Sequence, residues 1–163
     1  MGVCLEETVL NEAAPIHVRY FLGRAPRAEG WNILVVKYEG VCRSGAVGEP
    51  DGRFMLAMGK AGLTIWEPGG LVVDLTDLDC KELSEGLTSL LYLGEGYYCS
   101  ENLPEAVVVG PRCESAIRWY YQNINAHCRP ETTKEYFHDV ETAIEQVEEE
   151  MTKLHILFFG KGR

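Results

Sequence analysis

Apolar residues along this chain gather into short unbroken runs, separated by stretches in which they recur every three to four positions. Ile16 to Leu22 alternates loosely and leads into Gly23-Arg-Ala-Pro26-Arg-Ala-Glu-Gly30, where the glycines and proline read as a turn. Trp31 to Tyr38 follows, with Ile33, Leu34, Val35 and Val36 in succession, and Gly40 is the predicted end. A continuous, largely β-branched run predicts a strand covered on both faces. The same argument predicts strands at Leu71 to Leu75 and at Ala106 to Val109, the latter stopped by Gly110-Pro111.

Between these runs the period changes. After the glycine-rich loop Val41 to Gly52, Phe54, Met55, Leu56, Met58, Ala61, Leu63 and Ile65 recur with helical spacing, and Asp51 is the candidate cap. Gly59 and Gly62 weigh against this helix, since each costs about 1 kcal/mol relative to Ala. Leu83, Leu87, Leu90 and Leu91 predict a second helix opened by Asp79 or Ser84, and Arg112 to Asn123 a short third one. Asp139 opens a fourth, carrying Val140, Ala143, Ile144, Val147 and Met151. Leu154 to Phe159 either extends that helix or forms an edge strand, which would make a homodimer contact. The order β-β-α-β-α-β-α-α predicts one α/β domain over residues 1–163, with a mainly parallel or mixed sheet and covering helices. Residues 1–14 are expected to be a flexible segment.

Composition narrows the function. Fifteen basic against 25 acidic side chains give a net charge of −10, with a pI near 4.9. A general binder of nucleic-acid phosphates concentrates Lys and Arg instead, so no nucleic-acid partner is expected. No window approaches the roughly 18 uncharged apolar residues of a membrane span. The start carries Glu6, Glu7 and Glu12 and no basic residue, unlike a secretory signal, so the cytoplasm is the expected location. Six cysteines without a Cys-x-x-Cys pair predict buried small hydrophobes, and neither a zinc site nor another cofactor.

Leu71-Val-Val-Asp-Leu-Thr-Asp-Leu-Asp79, the following Ser84-Glu-Gly-Leu87 and the later Tyr136-Phe-His-Asp-Val-Glu-Thr-Ala-Ile144 resemble the STAS-like family. That family comprises bacterial anti-sigma-factor antagonists and the cytoplasmic domains of sulfate transporters, and the matching stretch runs from about residue 32 to 151. The resemblance implies a STAS-like fold and a phosphorylated serine at the helix opening, which is Ser84 here. The connection before that helix is longer in this chain, and Glu85 separates the serine from the glycine. The strand–helix pattern is also similar to half of a crotonase-fold enzyme. Gly110-Pro-Arg-Cys-Glu-Ser115, however, lacks the successive glycines from which such enzymes build an oxyanion hole.

Three groups of residues are candidates for function. Cys113 follows Arg112 where a strand turns into a helix, a place that favours thiolate, and it is the candidate reactive thiol. Asp74, Asp77 and Asp79 end a parallel strand and are weighed as Mg²⁺ ligands against ordinary capping; without a second acidic strand end, no metal is expected. Glu141, Glu145, Glu148 and Glu149 form the outer face of the last helix, and Tyr97, Tyr98, Tyr120 and Tyr121 supply aromatic anchors, with Trp119 assigned to packing. Together they predict a non-catalytic binding module for a basic protein, most concretely an acidic immunity or antitoxin inhibitor of a basic effector. The alternatives are a STAS-type antagonist switched by a regulatory kinase at Ser84, and a small crotonase-like or cysteine-dependent enzyme.

Overall fold

A computed structural model describes residues 8–95, 102–125 and 136–159. Its centre is a mixed, mostly parallel six-stranded sheet, and the fold is α/β as the sequence predicts. The strands are β1 (Ile16–Arg24), β2 (Asn32–Cys42), β3 (Gly70–Leu75), β4 (Leu78–Cys80), β5 (Glu105–Val109) and β6 (Tyr136–Phe137). The helices are α1 (Glu49–Trp66), α2 (Glu85–Leu90), α3 (Glu114–Tyr120) and α4 (Val140–Phe159). Strand order is β1-β2-β3-β5-β6, with β4 paired to the far end of β2. Only β1 and β2 run antiparallel, while β2, β3, β5 and β6 pair in parallel and β4 joins β2 in parallel.

The apolar runs become the central strands because both faces of the sheet are covered. Every residue of β3 is buried. Leu34, Val36, Leu71, Val73, Val107 and Val109 point into one cluster with Phe54, Met55 and Leu63 of α1, Leu87 and Leu90 of α2, and Ile117 of α3. Ile33, Val35, Val72, Ala106 and Val108 point the other way, against Ala143, Val147 and Met151 of α4. Alternation along each strand therefore divides the core into two layers. Among the described residues, no helix is long and apolar enough to cross a membrane.

Three local expectations are corrected. Gly40 does not end β2: its φ of +122° bends the strand past Pro15, and β2 continues to Cys42 where it meets β4. Helix α1 begins earlier, at Glu49, because Pro50 suits the first turn of a helix. Asp51 lies inside that turn and does not cap it. Its carboxylate accepts from the Arg43 backbone N–H (2.9 Å), Nε (3.0 Å) and Nη2 (2.5 Å). Of the two alternatives for Leu154 to Phe159, the structure takes the first, and the segment continues α4.

The glycines that argued against α1 are what let it approach. A Cβ on Gly59 would stand 2.8 Å from the Tyr38 hydroxyl oxygen, and one on Gly62 would stand 2.9 Å from the Tyr20 ring. With hydrogen there instead, Tyr38 Oη donates to the Met55 carbonyl and Tyr20 Oη to that of Met58, each at 2.9 Å. At the other end of the helix, a Cβ on Gly86 of α2 would meet the Gly52 carbonyl carbon at 2.3 Å. The amino-terminal turns of α1 and α2 thus touch backbone to backbone.

Replacing Gly86 by Ala is expected to destabilise the fold by about 1–3 kcal/mol, as overpacking does. The same change at Gly23, which has open space and ordinary φ, should stay within about 0.5 kcal/mol. Denaturant titration of the two variants checks both values.

Asp51 supplies a pH prediction. Its side chain is 0% exposed, and burial pushes its carboxyl up, but the Arg43 side chain and backbone N–H outweigh burial and hold it below the usual carboxylate range. A folded-state value below the unfolded one, near 3.9, gives stability that is present above that value and lost as pH falls through the folded value. Asp51→Asn should therefore cost about 1–3 kcal/mol at pH 7, with Arg43 partly in solvent keeping it at that level. The gap to the parent protein should narrow below pH 4, as read by thermal melts across pH.

Candidate functional site

Open α/β sheets place ligands outside the carboxyl ends of their parallel strands. Here β4 ends at Cys80 and runs through Lys81, Glu82 and Leu83 into α2, while β5 ends at Val109 and turns through Arg112 into α3. Between these two helices lies a groove of about 510 Å³. One wall is Lys81, Glu82, Leu83 and Thr88; the other is Ser115, Ala116, Trp119, Tyr120 and Ile124. Ala116 is buried at its base, Leu83, Thr88 and Tyr120 are half-buried, and Trp119 is 59% exposed at its rim.

The chain builds the aromatic wall by changing helical pitch. After α3 the backbone continues as a π turn over Tyr121–Asn125. Such turns are rare and are frequent at functional sites. The Asn123 side-chain amide donates to the Trp119 carbonyl at 2.9 Å, and the turn sets Ile124 beside Trp119 in the wall. The opposite wall is held by Ser84, whose hydroxyl accepts the Leu87 N–H at 3.2 Å as the cap of α2. Cys80 Sγ donates to the Glu82 carbonyl at 3.0 Å and shapes the turn between β4 and α2.

The predicted site residues do not meet in one place. Glu141, Glu145 and Glu149 are exposed on α4, across the sheet from the groove, and Glu149 pairs with Lys153 at 2.8 Å. Glu148 is not on the outer face. It is 6% exposed and turns inward to the β1–β2 loop, accepting from the Arg27 backbone N–H at 2.7 Å and from Arg27 Nε at 2.9 Å. Both bonds lower its carboxyl against the opposing effect of burial. Its work is to pin that loop over the second core layer.

The aromatic assignment reverses. Trp119, assigned to packing, is exposed, whereas Tyr121, assigned to docking, is buried and stacks on Tyr136 with centroids 6.1 Å apart. Burial pushes the Tyr121 hydroxyl well above the usual tyrosine range. Tyr120 does line the groove. Tyr97 and Tyr98 lie outside the described residues.

Cys113 stands before α3 as expected, but it is fully buried, and its Sγ donates to the carbonyls of Leu75 (3.4 Å) and Gly110 (3.5 Å). Burial pushes its thiol up, the opposite of activation. His127 lies outside the described residues, and His138 is near Glu114, with Nε2 3.8 Å from its carboxylate. Asp74 is buried and accepts from the Thr76 N–H at 2.9 Å and from its hydroxyl. Asp77 is taken by Lys37 at 2.5 Å. Among the described residues no three His, Cys, Asp or Glu side chains gather as a metal site. Ser84 is only 8% exposed, and a Cβ on Gly52 would come within 2.0 Å of its hydroxyl oxygen. A phosphate there would force α1 and α2 apart.

What sequence reasoning missed is the groove itself. Leu83, Trp119 and Ile124 carried one signal: each is a large apolar residue adjoining a predicted polar or loop segment. Burial alone separates that signal from core packing, and burial is a tertiary property.

Iodoacetamide should modify Cys113 in the folded protein at least about 100-fold more slowly than in urea, because labelling waits for local opening. Quantitative peptide mass spectrometry over time reads that ratio. A fast reaction in the native state would revive the enzyme alternative.

No family model matches the chain, and no curated protein or solved structure matches it either.

Proposed function

We propose that this protein is a non-catalytic binding module, and that the α2–α3 groove is where its partner docks. The observation that carries the reading is Trp119, a large aromatic 59% exposed on the rim of an apolar-floored groove. Tryptophan and tyrosine dominate interface energetics because they bury large area with few rotatable bonds to freeze. Leu83, Tyr120 and Ile124 extend the apolar strip, while Lys81, Glu82, Thr88 and Ser115 give it polar edges. The Cys113 thiol, buried and raised, does not favour the cysteine-dependent enzyme alternative.

The net charge of −10 favours a basic partner, because complementary charge speeds encounter. An immunity or antitoxin role, covering the cationic surface of an effector, is the concrete version of this reading. Ser84 favours a second version, a STAS-type regulatory antagonist, since it adjoins the groove residue Leu83 and caps α2. Negative charge is favourable at a helix amino terminus. Phosphorylation there would open the α1–α2 contact and thereby reshape the groove.

The test begins with partners captured at low salt and identified, then titrated as purified proteins. Trp119→Ala should weaken the partner's affinity by about 30-fold, the loss of roughly 2 kcal/mol that truncating an aromatic hot-spot residue costs. Circular dichroism should show the variant folded, since the side chain is mostly in solvent. A partner that binds Trp119→Ala as tightly as the parent protein would remove the groove from this role. Turnover of a phosphoester or thioester by the purified chain would replace the binding reading with an enzyme.

A further inference from the structure

Cys42 ends β2, Cys80 ends β4, and the two are register partners in the parallel pairing of those strands. Neighbouring strands lie about 4.8 Å apart. That falls inside the Cα separation of roughly 4.4–6.8 Å that a disulfide spans. Register partners project to the same face of a sheet, and both side chains are buried in the same hydrophobic cluster as free thiols. Cys80 Sγ donates to the Glu82 carbonyl at 3.0 Å, and Cys42 Sγ lies 4.0 Å from the Arg43 carbonyl oxygen. The neighbouring Cys80 thiol holds Cys42 below the ordinary thiol range, and Cys42, with burial, pushes Cys80 up.

We propose that Cys42 and Cys80 form an oxidisable dithiol, closed to a disulfide by an oxidant of the peroxide class. Cys42 gives up its proton and its sulfur attacks one oxygen of hydrogen peroxide; the O–O bond breaks, the departing hydroxide takes up that proton as water, and Cys42 becomes a sulfenic acid. The Cys80 sulfur then displaces the sulfenic oxygen, which leaves as water with the Cys80 proton as the S–S bond forms. Each sulfur loses one electron and the peroxide takes up both. Two thiols and one peroxide give one disulfide and two waters.

The bond would tie β4, only three residues long, covalently to β2 in the sheet. Lys81, Glu82 and Leu83 follow directly and form one wall of the groove. Oxidation would therefore fix that wall to the sheet, a consequence that rests on the docking reading, whereas the bond itself does not. Cys113 shares the cluster but stands before α3, outside the β2–β4 pairing, and is the register partner of neither thiol.

The folded protein is treated with hydrogen peroxide, unfolded, alkylated, digested without reductant and mapped by mass spectrometry. The expected product is a Cys42–Cys80 linked peptide, two hydrogens lighter than its parts, released by dithiothreitol and absent from Cys42→Ala. Linkage of Cys80 to Cys113 or to any other cysteine overturns the proposal. So does a product in which both residues are still alkylated, or in which Cys42 passes to sulfinic acid unlinked. The map of the parent protein needs no variant, so poor folding of Cys42→Ala leaves the test intact. Hydrogen exchange reads the coupling: amides at 81–83 should slow by about tenfold or more once the bond forms. Unchanged exchange in a linked sample would overturn the coupling, and it would do so independently of the Trp119 result.

Discussion

The contact between Gly52 and Gly86 constrains more of this structure than any other pair. Two helices can meet at their amino-terminal turns only if neither carries a side chain between the backbones, and here neither does. That approach buries Ser84 against Gly52 and leaves its hydroxyl free to accept only from its own helix. It sets α2 close enough to the sheet for Leu87 and Leu90 to be fully buried. It also fixes the direction in which the chain leaves β4, and hence where Lys81, Glu82 and Leu83 form a wall. A side chain added at either glycine would act on core, cap and groove at once.

The ion pair of Arg43 with Asp51 belongs to the same corner. Asp51 precedes Gly52, and Arg43 follows Cys42, so the pair joins the end of β2 to the first turn of α1. A carboxylate in that first turn is favoured by the helix dipole, and three donated hydrogen bonds offset the cost of burying it. Cys42, Arg43, Asp51, Gly52, Ser84 and Gly86 thus form one continuous strip along the carboxyl edge of the sheet.

Much of the architecture was legible from runs and periods, because β-branched runs such as Ile33 to Val36 and Val107 to Val109 have no stable place except between two covering layers. Asp139 was legible as a cap because its chemistry is local: it accepts the Thr142 N–H at 2.7 Å. The failures share a cause. Gly59 and Gly62 weaken a helix judged by propensity, yet tertiary packing of Tyr20 and Tyr38 against α1 overrides propensity. β4 and β6 are too short for any period to show. Glu148 looked like its neighbours in sequence; only the path of the β1–β2 loop, with Arg27 at hand, turns it inward. Tyr121 leaves the face its period predicts because α3 ends at Tyr120 and a π turn begins there, whereas Trp119 lies within α3 and is exposed.

Charge and groove are separable in this fold, and that separation bears on how a partner would be recognised. Glu141, Glu145 and Glu149 lie on α4, which packs on one face of the sheet, while α2 and α3 pack on the other. A helix layer is about 10 Å thick and a packed sheet adds about as much, so the acidic face stands roughly 20 Å from the groove. At physiological ionic strength the Debye length is about 8 Å. The acids of α4 therefore contribute to the far field that orients a basic partner in dilute salt, but little to contact energy at the groove. That energy has to come from Trp119, Tyr120, Ile124 and Leu83, whose apolar surface salt does not screen. A partner seated in the groove would lose association rate as salt rises while its dissociation rate stays nearly constant, and a partner seated on α4 would show salt dependence in both.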